Sequence, residues 1–203
     1  MTKRGYHHGN LRQALVEAAL VLIADQGPHG FTLSEAAKTA DVTPAAVYRH
    51  FAGRDELLAE VARQGYDIFA ALMDYAYNEG KPSALAAFEA TGRAYLAFAR
   101  KYPGHYIAMF ESGIRPQAWP DLAPVAAKAR NVLERAADGL SQHLPADRRP
   151  PGSMVSAHVW AMSHGVVELY MRGGAQSPFP PEDLLETGIG IYLRGLGLLP
   201  PDQ

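Results

Sequence analysis

Apolar residues recur at helical spacing along this whole chain, and nowhere do they alternate at the spacing of a strand. Leu11, Leu15, Ala18, Leu22 and Ile23 share one face of a first segment, and Gly27 and Pro28 stop it. The same rhythm predicts helices over residues 10–25, from Thr32 onward, 44–50, 54–77, 83–101, 104–111, 121–143, 153–172 and 182–199. Val155, Val159, Met162, Val166 and Leu169 form the expected stripe of the eighth. Proline and glycine occupy most of the gaps. The fold class is therefore all-α, with about nine helices.

Composition narrows the chemistry. The chain has 203 residues, enough for one or two domains, and 48% of them are hydrophobic. There is no cysteine, which excludes a disulfide scaffold, a cysteine-based zinc site, an iron–sulfur cluster and a thiol nucleophile. No cofactor or metal is expected. The opening of the sequence is polar and lacks an uninterrupted apolar core, so no secretory leader is expected. The longest run without Asp, Glu, Lys or Arg, residues 150–167, holds Pro, Ser, Gly and His and is a poor membrane span. A cytoplasmic protein with no membrane partner is expected. A net charge of −2 rules out a uniformly basic coat but leaves room for a local patch.

The first fifty residues carry the sharpest pattern. Thr32 and Glu35 have capping-box spacing, and Thr43 followed by Pro44 can open the next helix. Two short helices separated by a tight turn at Asp41-Val42 have helix-turn-helix spacing, with the first helix completing a three-helix domain over residues 1–53. In such units the second short helix enters the major groove of double-stranded DNA. Thr32, Thr43, Pro44, Ala45 and Ala46 are candidate contacts at helix starts, the small alanines permitting close approach to a base. Tyr48, Arg49, His50 and Arg54 suit phosphate, and Lys3 and Arg4 supply a basic arm. Packing of Tyr48 on helix one, and a merely solvated Arg49, are the plain readings of those side chains. The domain holds only one more basic than acidic residue, so a homodimer that doubles the contacts is expected.

Gly30-Phe31-Thr32-Leu33-Ser34-Glu35-Ala36-Ala37 followed by Ala40-Asp41-Val42-Thr43-Pro44-Ala45-Ala46-Val47-Tyr48-Arg49-His50-Phe51 resembles the DNA-binding domain of the tetracycline-repressor-like (TetR/AcrR) family. Arg54-Asp55-Glu56-Leu57-Leu58 continues the likeness. The resemblance implies a homodimeric transcription regulator, usually a repressor, released from a palindromic operator by a small ligand. Tyr48 and His50 stand where the family contacts phosphate, and Arg54 where it often has lysine, which is not an equivalent group. The opening Arg4-Gly5-Tyr6-His7-His8-Gly9-Asn10-Leu11-Arg12 resembles one subgroup whose C-terminal domain carries a tryptophan and a histidine-glycine pair, here Trp160, His164 and Gly165.

Residues 54–203 are then expected to bind an effector and to dimerise. His105, Tyr106, Met109, Phe110 and Trp119 come from the sixth helix and the loop after it. Trp160, His164 and Glu168 lie on one side of the eighth helix. An aromatic and methionine-rich set with a few polar groups suits a small apolar or aromatic effector; ordinary core packing is the plain alternative. Ala157, Ala161 and Gly165 on helix eight form one half of an expected dimer interface. Leu185, Gly188, Ile189, Tyr192, Gly195 and Leu196 on helix nine form the other. A DNA-binding protein without effector is one alternative. A helical metal enzyme is another, though no His-Glu-x-x-His or phosphate loop occurs and no catalytic residue is assigned.

Overall fold

The computed structural model describes residues 11–174 and 176–199. Among these the chain is all-α, with nine helices: α1 (Leu11–Gln26), α2 (Leu33–Thr39), α3 (Pro44–Val47), α4 (Arg54–Glu79), α5 (Ala84–Lys101), α6 (Pro103–Phe110), α7 (Leu122–Ser141), α8 (Gly152–Val166) and α9 (Pro181–Gly195). No described helix is long and apolar enough to cross a membrane. Two compact units form. One gathers the chain up to Tyr66 with Tyr102–Val125, and the other Asp67–Lys101 with the chain from Ala126 onward. The division falls within α4, and α6 belongs with the first unit.

In the first unit, α1 packs on α2 and on α6 around Leu15, Val16, Ala19, Ile23, Phe31, Val47, Phe51 and Tyr106, all buried. Gly104 permits the approach of α6 to α1, since a Cβ there would lie 3.0 Å from the Leu20 side chain and 3.1 Å from its carbonyl oxygen. The expected capping box opens α2: Glu35 N–H donates to Thr32 Oγ1 at 3.2 Å, and Thr32 N–H donates to Glu35 Oε2 at 2.8 Å. These bonds satisfy donors that the first turn of a helix leaves free.

The end of α2 sets the turn. Val42 N–H donates to Ala37 O and Asp41 N–H to Lys38 O, the paired bonds of a Schellman motif. That motif needs a left-handed residue, and Asp41 supplies it with φ of +54°. Glycine is the usual occupant; aspartate is among the few other residues that tolerate the region.

In the second unit, Phe69, Met73, Phe88, Phe98, Val132, Leu133, Val155 and Val159 are buried. Arg135 of α7 pairs with Asp74 of α4 and lies over the Tyr77 ring. The eighth helix departs from its expected course. It is α-helical only to Val166, and Val167–Arg172 winds as a π-helix. The buried side runs through Val155, Val159, Ser163 and Val167, four residues apart, so it leaves the expected stripe before the π-turn begins. Val167, not Val166, is the buried residue, and Leu169, expected on the stripe, is 55% exposed.

Candidate functional site

The first candidate surface lies in the helix-turn-helix. Thr43, Pro44 and Ala45 are exposed at the start of α3, and Tyr48 and Arg49 are exposed just past its end. Tyr48 is 60% exposed, which overturns the plain reading that it packs on α1. Ala46 is largely buried beside Val47, yet it borders the same concave surface as Thr43, Pro44 and Arg49. Thr32 is exposed, but its hydroxyl is held in the α2 cap, donating to Glu35 at 2.8 Å. Lys3 and Arg4 lie outside the described residues.

Ser34 and Lys38 of α2 border the same open concave surface as Thr43, Pro44 and Arg49, with Asp41 at its turn. Sequence reasoning left both out of the candidate set; their exposure on the helix face opposite Ala36 and Ala37 was the available signal. Arg12 ties the segment after α3 to α4. Its guanidinium donates to the carbonyl of His50 at 3.1 Å and to Glu60 at 3.1 Å, and lies 4.5 Å over the Phe51 ring. Burial alone would raise the Glu60 carboxyl, but hydrogen bonds from Arg63, Gln64 and Arg12 outweigh it and hold its pKa near about 2. Arg54, expected at phosphate, donates to the carbonyl of His29 at 3.2 Å, so one of its nitrogens fastens the loop before α2 to the start of α4.

The expected effector residues divide between the units. His105, Tyr106, Met109, Phe110 and Trp119 belong to the first. His105, Tyr106 and Met109 are buried there, and Gly65 makes room for α6: a Cβ on it would meet Met109 Sδ at 2.6 Å. Phe110 sits edge-on to Tyr66 and Tyr106. Burial lowers the His105 pKa, favouring its neutral ring. Trp119 is half-buried.

Trp160, His164 and Glu168 belong to the second unit, all half-buried and four residues apart. Trp160 packs edge-on against Phe69 and Tyr95, with ring centroids 5.9 and 5.6 Å away. The Tyr95 hydroxyl and His164 Nδ1 share a hydrogen bond of 2.7 Å, which fixes the imidazole and leaves Nε2 as its other polar edge. Glu168 lies in the π-helical turn, and its Oε1 is buried without a hydrogen-bond partner. A buried carboxylate oxygen left unpaired is costly and calls for a donor. Among the described residues no three His, Asp or Glu side chains gather as a metal site.

On α8, Ala157 and Ala161 are exposed and Gly165 is half-buried; on α9, Gly195 is exposed, while Gly188, Ile189 and Tyr192 are half-buried, as is Leu196 just past its end. Leu185 is buried within its own unit and has no surface to offer a partner. Met154 and Ile191, absent from the expected set, are exposed apolar residues on these helices, Ile191 by 63%. Tyr192 bonds His158 at 2.8 Å.

The protein-family comparison matches residues 15–61 to "Bacterial regulatory proteins, tetR family" and residues 88–192 to "Tetracyclin repressor-like, C-terminal domain". The chain is 46% identical over 52 residues to the HTH-type transcriptional regulator BetI of Rhizobium meliloti (strain 1021), covering 26% of each protein. It is 29% identical over 101 residues to the uncharacterized HTH-type transcriptional regulator YobS of Bacillus subtilis (strain 168), covering 49% of this chain and 51% of that one. The chain thus spans about a quarter and about half of these curated relatives. A solved structure of a protein of unknown function from Rhodococcus sp. RHA1 superposes with a TM-score of 0.80 at 25% identity, covering 95% of this chain and 98% of that one.

Proposed function

The chain belongs to the tetracyclin repressor-like family of bacterial regulatory proteins, and on that premise we propose that it is a ligand-responsive repressor that binds a palindromic operator as a homodimer. The observation that carries this reading is the exposed edge of α3. Thr43, Ala45, Tyr48 and Arg49 are exposed on α3 and its two flanks, and Arg12 ties the carbonyl of His50, just beyond, to Glu60. Small residues at the leading end let the helix approach base edges, while Tyr48 and Arg49 reach phosphate or a base. Lys38 adds a cation on the same surface, and His50 is half-exposed. Lys3, Arg4 and Arg54 are secondary positioning groups.

Dimerisation is assigned to the outer faces of α8 and α9. Ala157, Ala161, Met154, Ile191 and Gly195 leave an apolar, small-residue surface exposed. Two copies brought together by a two-fold axis cover such a patch with itself.

The effector reading rests on Trp160, His164 and Glu168. Trp160 offers a ring wall, His164 is oriented by Tyr95, and the unpartnered oxygen of Glu168 favours a ligand with a donor group over an anion. An aromatic or apolar molecule bearing a hydroxyl or amine fits that set. Binding acts on DNA affinity only through different affinities for the DNA-bound and released arrangements. Duplex binding by Thr43→Ala, Tyr48→Phe and Arg49→Ala proteins tests the reading. Each should weaken binding while the helical content stays unchanged, and unaltered affinity in all three would overturn the assignment of this surface.

A further inference from the structure

Helices α8 and α9 run antiparallel. His158 meets Tyr192, and one turn further along α8 the Met162 Sδ stands 3.8 Å from where a Cβ on Gly188 would lie. Met154, Ala157, Ala161, Ile191 and Gly195 are exposed on these two helices. His158, one turn from Met154 and from Ala161, is exposed with them, and Tyr192 is half-buried. His158 Nδ1 and the Tyr192 hydroxyl share a hydrogen bond of 2.8 Å, and the two rings meet edge-on with centroids 5.3 Å apart.

Among the described residues, none of the surrounding charges is placed to answer an imidazolium there. α8 contains no Asp, Glu, Lys or Arg, and its other histidine, His164, is six residues away and bonded to Tyr95. On α9, Glu182 is paired with Arg100, and Glu186 shares Arg93 with Glu89, all three partners lying on α5, whose Lys101 is at its exposed end. Asp183 and Arg194 fall on the side of α9 opposite Tyr192, nine and two residues from it, and the Arg194 guanidinium stands against Gly190. Asp138 of α7 meets Gly152 at the start of α8, six residues before His158. Glu168 and Arg172 lie ten and fourteen residues beyond His158, in the π-helical turn.

A neutral imidazole accepts the Tyr192 hydroxyl at Nδ1. Burial raises the Tyr192 pKa, so the phenol keeps its proton. Protonation of the ring gives Nδ1 a hydrogen of its own, and the hydroxyl loses that acceptor. Covering the charged ring with a second apolar face would also strip its water without supplying a counter-charge. Resting on the pairing of two copies through the outer faces of α8 and α9, we propose that His158 and Tyr192 form an acid-sensitive latch in that interface, closed with a neutral His158 and opened by its protonation. A two-fold axis presents the latch twice. Each pKa unit by which pairing disfavours the charged ring weakens association tenfold per copy, up to about a hundredfold per dimer. Association is therefore strongest at alkaline pH and declines as pH falls through the imidazole range.

Sedimentation equilibrium of the full chain tests this at about pH 8 and about pH 5.5, the span over which imidazole ordinarily gains its charge. The dissociation constant should rise at least about tenfold toward the acid end. His158→Asn places a non-titrating amide near the position of Nδ1 and should dimerise equally at both pH values. His158→Lys carries its charge at both and should associate more weakly already at about pH 8. Ile191→Glu, on the same face, should dissociate there as well and so reports on the interface itself. A monomeric wild type at about pH 8, or a dimer that Ile191→Glu leaves intact, would remove the α8–α9 interface and the latch with it. With that interface in place, a wild-type dissociation constant level across the pH range, a pH dependence retained by His158→Asn, or a His158→Lys dimer as tight as the wild type would each overturn the latch alone.

Discussion

Arg12 and Glu60 meet at 3.1 Å although 48 residues separate them, and the same guanidinium caps the carbonyl of His50. One side chain therefore joins α1, the end of the α3 segment and α4. In the sequence Arg12 reads as one more basic residue near DNA. In the structure it braces the surface that would touch DNA.

Arg12→Ala should lower stability by about 1–3 kcal/mol, because it leaves the part-buried Glu60 with fewer donors and His50 O without its bond. Urea unfolding followed by circular dichroism measures this. Operator affinity should fall as well, through a less rigid α3 rather than through a lost phosphate contact.

Glu60 should make stability depend on acid. Its folded pKa of about 2 lies below the ordinary value of 4.5, so the folded form binds its proton less readily than the unfolded chain. The contribution is fully present above the ordinary value and disappears as pH falls through the folded one. Glu60→Gln should therefore cost about 1–3 kcal/mol at neutral pH. Its deficit relative to the wild type should shrink between pH 4.5 and about 2 in denaturation series, and a constant deficit would contradict the assignment.

Asp41 tests the turn. Its φ of +54° suits glycine and strains a β-branched residue. Asp41→Val should lower stability by about 1–2 kcal/mol, whereas Asp41→Gly should keep or raise the melting temperature. Thermal unfolding of the pair checks the Schellman geometry without reference to DNA.

Trp160→Ala and His164→Ala should keep operator binding and lose release by effector. Tyr95→Phe keeps the ring contacts to Phe69 and Trp160 and removes only the hydroxyl that orients His164. Its stability should change by about 1 kcal/mol or less, while its effector response weakens. A metabolite screen scored by operator release reads all three, and unchanged response in all of them would remove the effector from this side of α8.

Ile191 reports on assembly. At 63% exposure it adds little to the fold of one chain, so Ile191→Glu should leave the melting transition intact at fixed subunit concentration only if dimerisation lies elsewhere. With the outer faces of α8 and α9 joined, the variant should dissociate at least about tenfold more readily in sedimentation equilibrium.

Much of this molecule was legible in its sequence because its signals are local. Thr32 and Glu35 announce a capping box three residues apart, Pro44 opens α3, and Gly27 ends α1, so helix existence and most boundaries follow from neighbours in the chain. The exposed Thr43, Pro44, Ala45, Tyr48 and Arg49 were legible for the same reason, whereas Ser34 and Lys38 join their surface only through the packing of α2 beside α3. What stayed hidden is non-local or depends on winding. No pattern links Arg12 to Glu60. The buried side of α8 steps by four through Val155, Val159, Ser163 and Val167, so a stripe drawn through Met162, Val166 and Leu169 misses it, and the π-helical winding of Val167–Arg172 has no signature in the pattern.

The most direct test of the regulatory function is selection of bound duplexes from a random pool by the purified protein, followed by salt titration of the enriched sequence. A DNA-reading homodimer predicts a palindrome with half-sites about 34 Å apart, and an affinity that falls steeply with salt. Arg49→Ala should then lose about 1–3 kcal/mol if it reaches a base, with relaxed preference at one position of each half-site. A pool that shows no enrichment after repeated rounds, with binding equal for every sequence, would contradict the function proposed for this chain.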